Sequence, residues 1–137
     1  MYSSYFENQS SRINLVSSVD DSTYDTVITD YSSMVFDFVY LKRKIIYFIP
    51  DLEVFWSGLN GYRKTDLPLD KAFGPLCKMP DEALKFLRMS MDPNCPWPEE
   101  YLNRMDNFFL RYDSNQRERL YEQLRFVLNG DQTIEDK

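Results

Sequence analysis

Between Thr26 and Pro50 the chain sets two short β-branched runs on either side of one apolar, helix-length segment, and that alternation leaves few folds open. Thr26-Val27-Ile28-Thr29 reads as a strand. Asp30-Tyr31-Ser32-Ser33 follows at once, and from Ser33 to about Lys42 the residues read as a helix. Lys44 to Ile49 (KIIYFI) is a continuous apolar run closed by Pro50. A strand without polar alternation is covered on both faces, as in a parallel sheet. Strand, tight turn, helix and strand make a βαβ unit.

The flanking segments extend this pattern. Residues 1–12 read as a flexible lead-in that precedes a short strand candidate, Ile13 to Val16. Asp51 is placed to cap a helix running to Ser57, and residues 58–70 read as a loop. Leu76 to Met79 reads as a last strand. Pro80 with Asp81 and Glu82 opens a helix to Met91. After a Pro-rich turn, residues 98–112 and 115–128 read as amphipathic helices, the second with Leu120, Leu124, Val127 and Leu128 on one stripe. Residues 131–137 read as a disordered tail. The fold expected is α/β: a Rossmann-like three-layer domain over 13–92 with a short parallel sheet, and C-terminal helices over 93–130 packed on it. Three or four strands are few for an independent doubly wound domain, which points to a piece of something larger.

Composition limits the function classes. The 137 residues are 43% hydrophobic and 16% aromatic, enough for a packed core and for a face that expects another domain. A net charge of −6 argues against a nucleic-acid partner. Two cysteines make neither a disulfide framework nor a zinc signature, and read as reduced thiols of an intracellular protein. No apolar run approaches the roughly 20 residues that span a bilayer. The chain has no histidine, so no mechanism resting on its own imidazole is open to it.

The residues that carry chemistry are Thr29-Asp30-Tyr31-Ser32-Ser33, at the carboxyl end of a parallel strand and the start of a helix, where open α/β sheets place ligands. Free N–H groups and neighbouring hydroxyls there favour phosphate. Neither a dinucleotide fingerprint nor a P-loop is present. Asp37 is the one acid in a helix that is apolar nearly all round, which implies a buried carboxylate. It lies one turn beyond Ser33, within reach of ribose hydroxyls. Arg63, with Lys64, sits in a loop from which it reaches a phosphate. The structural alternatives stay open: Ser33 as an N-cap only, Asp30 as a turn residue, Asp37 as an ion-pair partner of Lys42 or Arg43, Tyr31 as packing.

The stretch TVITDYSSMVFDFVYLKRKIIYFIPDLEVF, residues 26–55, resembles a signature of the CDP-glycerol glycerophosphotransferases of teichoic-acid biosynthesis. Thr29, Asp30, Tyr31, Ser32, Ser33, Phe36, Asp37, Leu41, Arg43, Ile45, Ile46, Asp51, Leu52 and Glu53 fall on it. Gly61-Tyr62, Gly74-Pro75-Leu76, and Asp113 with Arg119 resemble later steps of the same family, so the likeness runs from about 13 to 128. The resemblance implies the C-terminal, donor-binding half of a GT-B enzyme that transfers glycerol phosphate from a CDP-alditol to a polymer on a lipid carrier. It implies that Thr29, Ser32 and Ser33 meet the donor pyrophosphate and Asp37 the ribose, with Asp30 and Arg63 in support. CDP-glycerol is then a substrate, and no cofactor or metal is implied. The catalytic histidines and the acceptor site belong to an N-terminal half, so the fragment alone is expected to be inactive. The whole enzyme is expected to be cytoplasmic and peripheral at the inner face of the cell membrane. Lys44 and Ser114 stand where that family usually has Pro and Gly. Two alternatives remain. One is the donor half of another GT-B transferase, using CDP-ribitol or a nucleotide sugar. The other is a non-catalytic receiver-like module phosphorylated at Asp30, with Asp20-Asp21 as its acidic pair.

Overall fold

The structure, a computed structural model, describes residues 23–58 and 68–129 together with Val16. Its centre is a three-stranded parallel sheet in the order β1 (Thr26–Thr29), β2 (Lys44–Phe48), β3 (Leu76–Cys77). Thr26 pairs with Lys44 and Thr29 with Tyr47, while Tyr47 pairs with Leu76 on the other side. The helices are α1 (Val35–Tyr40), α2 (Leu52–Trp56), α3 (Pro80–Met91), α4 (Glu99–Asp106) and α5 (Gln116–Leu128). The βαβ unit is therefore present as β1–α1–β2, and the fold is α/β.

β2 is buried along its length because both its faces are covered. Ile45, Tyr47 and Ile49 pack against Val35, Phe38 and Val39 of α1, with Leu52, Phe73 and Met105. Ile46 faces the other way, into Cys77, Ala83 and Trp97, and Phe48 packs beside it. Burying each of these aliphatic side chains contributes about 1.5–3 kcal/mol. Lys44 ties the second layer to the sheet: its Nζ donates to the Ser90 carbonyl at 2.5 Å, near the end of α3. Thr26 Oγ1 donates to Ser90 Oγ at 3.1 Å beside it. At the other end of α3, Glu82 accepts the N–H groups of Lys78 and Met79 and so caps the helix start.

Several elements differ from the sequence reading. The helix expected over 33–42 is regular only over Val35–Tyr40, and Lys42 ends it in a left-handed conformation at φ 53°. It is buried on one face alone, with Met34, Asp37 and Leu41 exposed. Asp51 makes no side-chain cap to α2. β3 stops at Cys77. The helix expected over 98–112 ends at Asp106, because the following aromatics turn inward: Phe108 stacks on Phe36, and Phe109 and Tyr112 pack on Tyr40. No residue of α5 is buried, so its apolar stripe lies open among the described residues. The helix is held at its start, where Asp113 accepts the Asn115 N–H and is gripped by Arg119 at 2.7 and 2.8 Å. The strand candidate Ile13–Val16 lies outside the described residues apart from Val16, which is exposed.

Gly74 has a steric duty. A Cβ there would lie 1.8 Å from the carbonyl oxygen of Ile45. The segment must come that close because the carbonyl of Pro75 accepts the Tyr47 N–H at 2.9 Å, the first link between β2 and β3. Gly74→Ala is expected to destabilise the chain by about 3 kcal/mol, at the upper end for overpacking against backbone. Urea unfolding of the two proteins measures it.

Candidate functional site

Parallel pairing brings the carboxyl ends of β1, β2 and β3 to one edge of the sheet. The loop after β1 is built by nested turns. Asp30 Oδ1 accepts the Ser32 N–H at 3.0 Å, and Ser32 Oγ accepts the Met34 N–H at 3.3 Å. Ser32 and Ser33 carbonyls then accept the N–H groups of Val35 and Phe36, which starts α1. Ser33, left open in the sequence as an N-cap, caps nothing: Met34 stands at the N-cap position, no side chain caps α1, and Ser32 Oγ bonds the amide two residues ahead in the preceding turn. Among the described residues the hydroxyls of Thr29 and Ser33 have no hydrogen-bond partner.

The loop is also held from the side. The Tyr31 ring stacks on Phe55 of α2, with centroids 3.7 Å apart and planes 10° apart. Its hydroxyl donates to Asp51 Oδ1 at 3.3 Å. Removal from water, followed by the charge of Asp51, pushes the Tyr31 phenol up to about 12. From the same turn of α2, Glu53 pairs with Lys78 at 3.2 Å, beyond the end of β3. The first turn of α2 therefore joins all three carboxyl-end loops. Sequence reasoning missed both links because their partners lie 20 and 25 residues apart. The available signal was Asp51-Leu52-Glu53, directly after a strand.

Asp37 is exposed, not buried as the sequence suggested, because α1 turns that face away from β2. It pairs with neither Lys42 nor Arg43. Lys42 binds Asp106 at 2.6 Å, and Arg43 lies 3.7 Å from Asp25. The Asp37 carboxylate has no hydrogen-bond or ion-pair partner among the described residues. It borders an open groove of about 500 Å³ with Phe36, Tyr40, Leu41, Phe109 and Gln116. The floor of that groove is tied together: the Tyr40 hydroxyl donates to the Asp113 carbonyl and accepts from the Gln116 amide. Of the site residues proposed from sequence, the structure brings Thr29, Asp30, Ser32 and Ser33 into one loop, with Asp37 a helical turn onward. Arg63 and Lys64, and the Asp20-Asp21 pair, lie outside the described residues.

The edge carries Asp30, Asp51 and Glu53, so its charge does not by itself attract an anion. All three carboxylates are occupied locally, Asp30 by an N–H, Asp51 by a phenol and Glu53 by the Lys78 ammonium. What the loop leaves uncommitted is the pair of hydroxyls, Thr29 half-buried and Ser33 exposed, with the exposed Asp37 carboxylate a turn away. That set suits a ligand with an acceptor group at one end and vicinal hydroxyls about 6 Å farther along, the rise of four helical residues.

The profile of the CDP-glycerol:poly(glycerophosphate) glycerophosphotransferases matches residues 7–125. The chain is 35% identical over 85 residues to a teichoic acid poly(glycerol phosphate) polymerase of Bacillus subtilis (strain 168), covering 61% of this chain and 11% of that protein. It is 31% identical over 96 residues to the minor teichoic acid biosynthesis protein GgaB of the same organism, covering 69% and 10%. It is 33% identical over 93 residues to a teichoic acid poly(glycerol phosphate) polymerase of Staphylococcus epidermidis, covering 66% and 12%. The chain thus spans roughly a tenth of the length of these curated relatives. No solved structure matches it. No helix among the described residues is long and apolar enough to cross a membrane.

The tyrosines supply a test of the geometry. Tyr31 and, through burial, Tyr47 are both raised from 10.0 to about 12. A phenol whose folded pKa exceeds its unfolded one contributes its full stability below pH 10.0, and loses it as pH climbs toward 12. The urea midpoint is expected to fall across that window, and to fall less steeply in Tyr31→Phe.

Proposed function

The chain belongs to the CDP-glycerol:poly(glycerophosphate) glycerophosphotransferase family, and from that premise we propose that it forms the donor-binding part of a glycerophosphotransferase, a Rossmann-like half of a GT-B enzyme. In this reading the diphosphate of CDP-glycerol lies over the loop after β1. The hydroxyls of Thr29 and Ser33 donate to its oxygens, and Ser32 and Asp30 hold the backbone that presents them. Asp37 accepts hydrogen bonds from the ribose hydroxyls. The observation that carries the reading is the spacing of these uncommitted groups: two hydroxyls and a carboxylate one helical turn apart, at the carboxyl edge of a parallel sheet.

The chemistry follows from the donor. An acceptor hydroxyl attacks the phosphorus that bears glycerol, the bond from that phosphorus to the bridging oxygen breaks, and CMP leaves with that oxygen. The attacking hydroxyl loses its proton to a base. In this reading the base is an imidazole that belongs, with the acceptor site, to an N-terminal half of the enzyme, since this chain carries no histidine. Hydrogen bonds that strengthen as charge builds on the departing phosphate are the contribution of Thr29 and Ser33. With carboxylates already at the edge, further cations would help, and Arg63 with Lys64 is proposed in that supporting role. The acceptor is a lipid-linked polymer of the teichoic-acid kind, which places the whole enzyme at the inner face of the cell membrane as a peripheral protein.

Titration of the ¹⁵N-labelled chain with CDP-glycerol, CDP, CMP and UDP-N-acetylglucosamine tests the donor assignment. Amide shifts are expected to cluster over Thr29 to Asp37 and to be strongest with the CDP ligands. Ser33→Ala and Asp37→Asn are each expected to weaken CDP binding about 5- to 30-fold, the worth of one hydrogen bond to a charged or ribose group, about 1–2 kcal/mol. Both side chains are uncommitted, so the melting temperature should hold. Equal shifts with all nucleotides, or shifts remote from this loop, would remove the assignment.

A further inference from the structure

We propose that Tyr31 is a positioning residue: through Phe55 and Asp51 it locks the loop after β1 to α2, so that Thr29 and Ser33 present their hydroxyls in one fixed geometry. The proposal rests on the donor-binding reading for its ligand, and on the structure for its mechanics.

The loop from Asp30 to Met34 has little of its own to hold it. Its internal bonds, Asp30 to the Ser32 N–H and Ser32 to the Met34 N–H, are exposed and compete with water. α1 behind it is six residues long, too short to be rigid without packing. Tyr31 supplies what these lack. Its ring lies flat on Phe55 at 3.7 Å, and its hydroxyl reaches Asp51 at 3.3 Å, so one side chain makes two different contacts to a separate element. α2 is itself anchored, with Leu52 buried in the main core and Glu53 paired to Lys78. Tyr31 also packs against that core from its edge. A ligand that meets Thr29 and Ser33 together gains most when both hydroxyls are already in place, because the ordering of the loop then need not come from its binding energy.

Three proteins separate the contacts. Tyr31→Phe keeps the stack and removes the bond to Asp51. Tyr31→Ala removes both. Asp51→Asn keeps an acceptor for the phenol and removes the charge. Amide hydrogen exchange without ligand reads the mechanics: protection at Ser32 to Phe36 is expected to fall about tenfold in Tyr31→Ala and less in Tyr31→Phe, while the strand amides of Ile45 to Phe48 keep theirs. The CDP titration reads the consequence: affinity is expected to fall about tenfold in Tyr31→Ala and about threefold in Tyr31→Phe, and to stay near wild type in Asp51→Asn. A melting temperature close to wild type in Tyr31→Phe separates positioning from global stability. Unchanged exchange at Ser32 to Phe36 in Tyr31→Ala would overturn the proposal. So would unchanged CDP affinity in that variant when the wild type binds. A wild-type chain that fails to bind CDP would count against the donor-binding reading instead, and the exchange measurement would still decide the role of Tyr31.

Discussion

A parallel strand covered on both faces leaves little room for polar side chains, and β2 meets that constraint with Ile45, Ile46 and Tyr47, all buried, followed by buried Ile49 just past its end. The candidate site is placed by it. α1 packs on one face and α3 on the other, so the strands on either side must run parallel to β2 and end together. The loops that follow β1, β2 and β3 are then neighbours with no choice in the matter. Gly74 is part of the same constraint, because the approach of β3 to β2 is closer than any side chain permits.

Three loops brought together by a sheet are not yet a site. The first turn of α2 makes them one, with Asp51 meeting Tyr31 and Glu53 meeting Lys78. The Glu53–Lys78 pair is exposed, and such pairs contribute little each. The stacked Tyr31–Phe55 rings are the stronger element, at about 0.5–1.5 kcal/mol beyond the area they bury. The arrangement uses carboxylates as internal fasteners and leaves the Thr29 and Ser33 hydroxyls without partners among the described residues. This explains how an edge with Asp30, Asp51 and Glu53 is compatible with a phosphate ligand.

Much of this was legible in the sequence. The β-branched run at Thr26, the apolar run ended by Pro50, and the Pro-acidic start at Pro80 each predicted an element that the structure contains, because these signals depend only on local backbone physics. The loop Asp30 to Ser33 was legible for the same reason: it directly follows a strand. What failed depends on partners distant in sequence. Asp37 reads as buried because Met34, Phe36 and Leu41 around it are apolar, yet nothing local says which of them the sheet covers. Whether Ser33 caps α1 is not decided locally, and in the structure Met34 takes the N-cap position with no side-chain cap. The stripe of α5 has the spacing of a packed face, but none of its residues is buried. Tyr31 was read as packing, which it is, but the partners that give the packing a purpose sit 20 or more residues on.

The central claim is that the loop after β1 and Asp37 hold a cytidine diphosphate. A crystal structure of the chain with CDP tests it most directly. The account predicts the diphosphate within hydrogen-bonding distance of the Thr29 and Ser33 hydroxyls, with the ribose hydroxyls against Asp37. Diphosphate bound away from that loop, for example in the groove beside Tyr40 and Gln116, would contradict it.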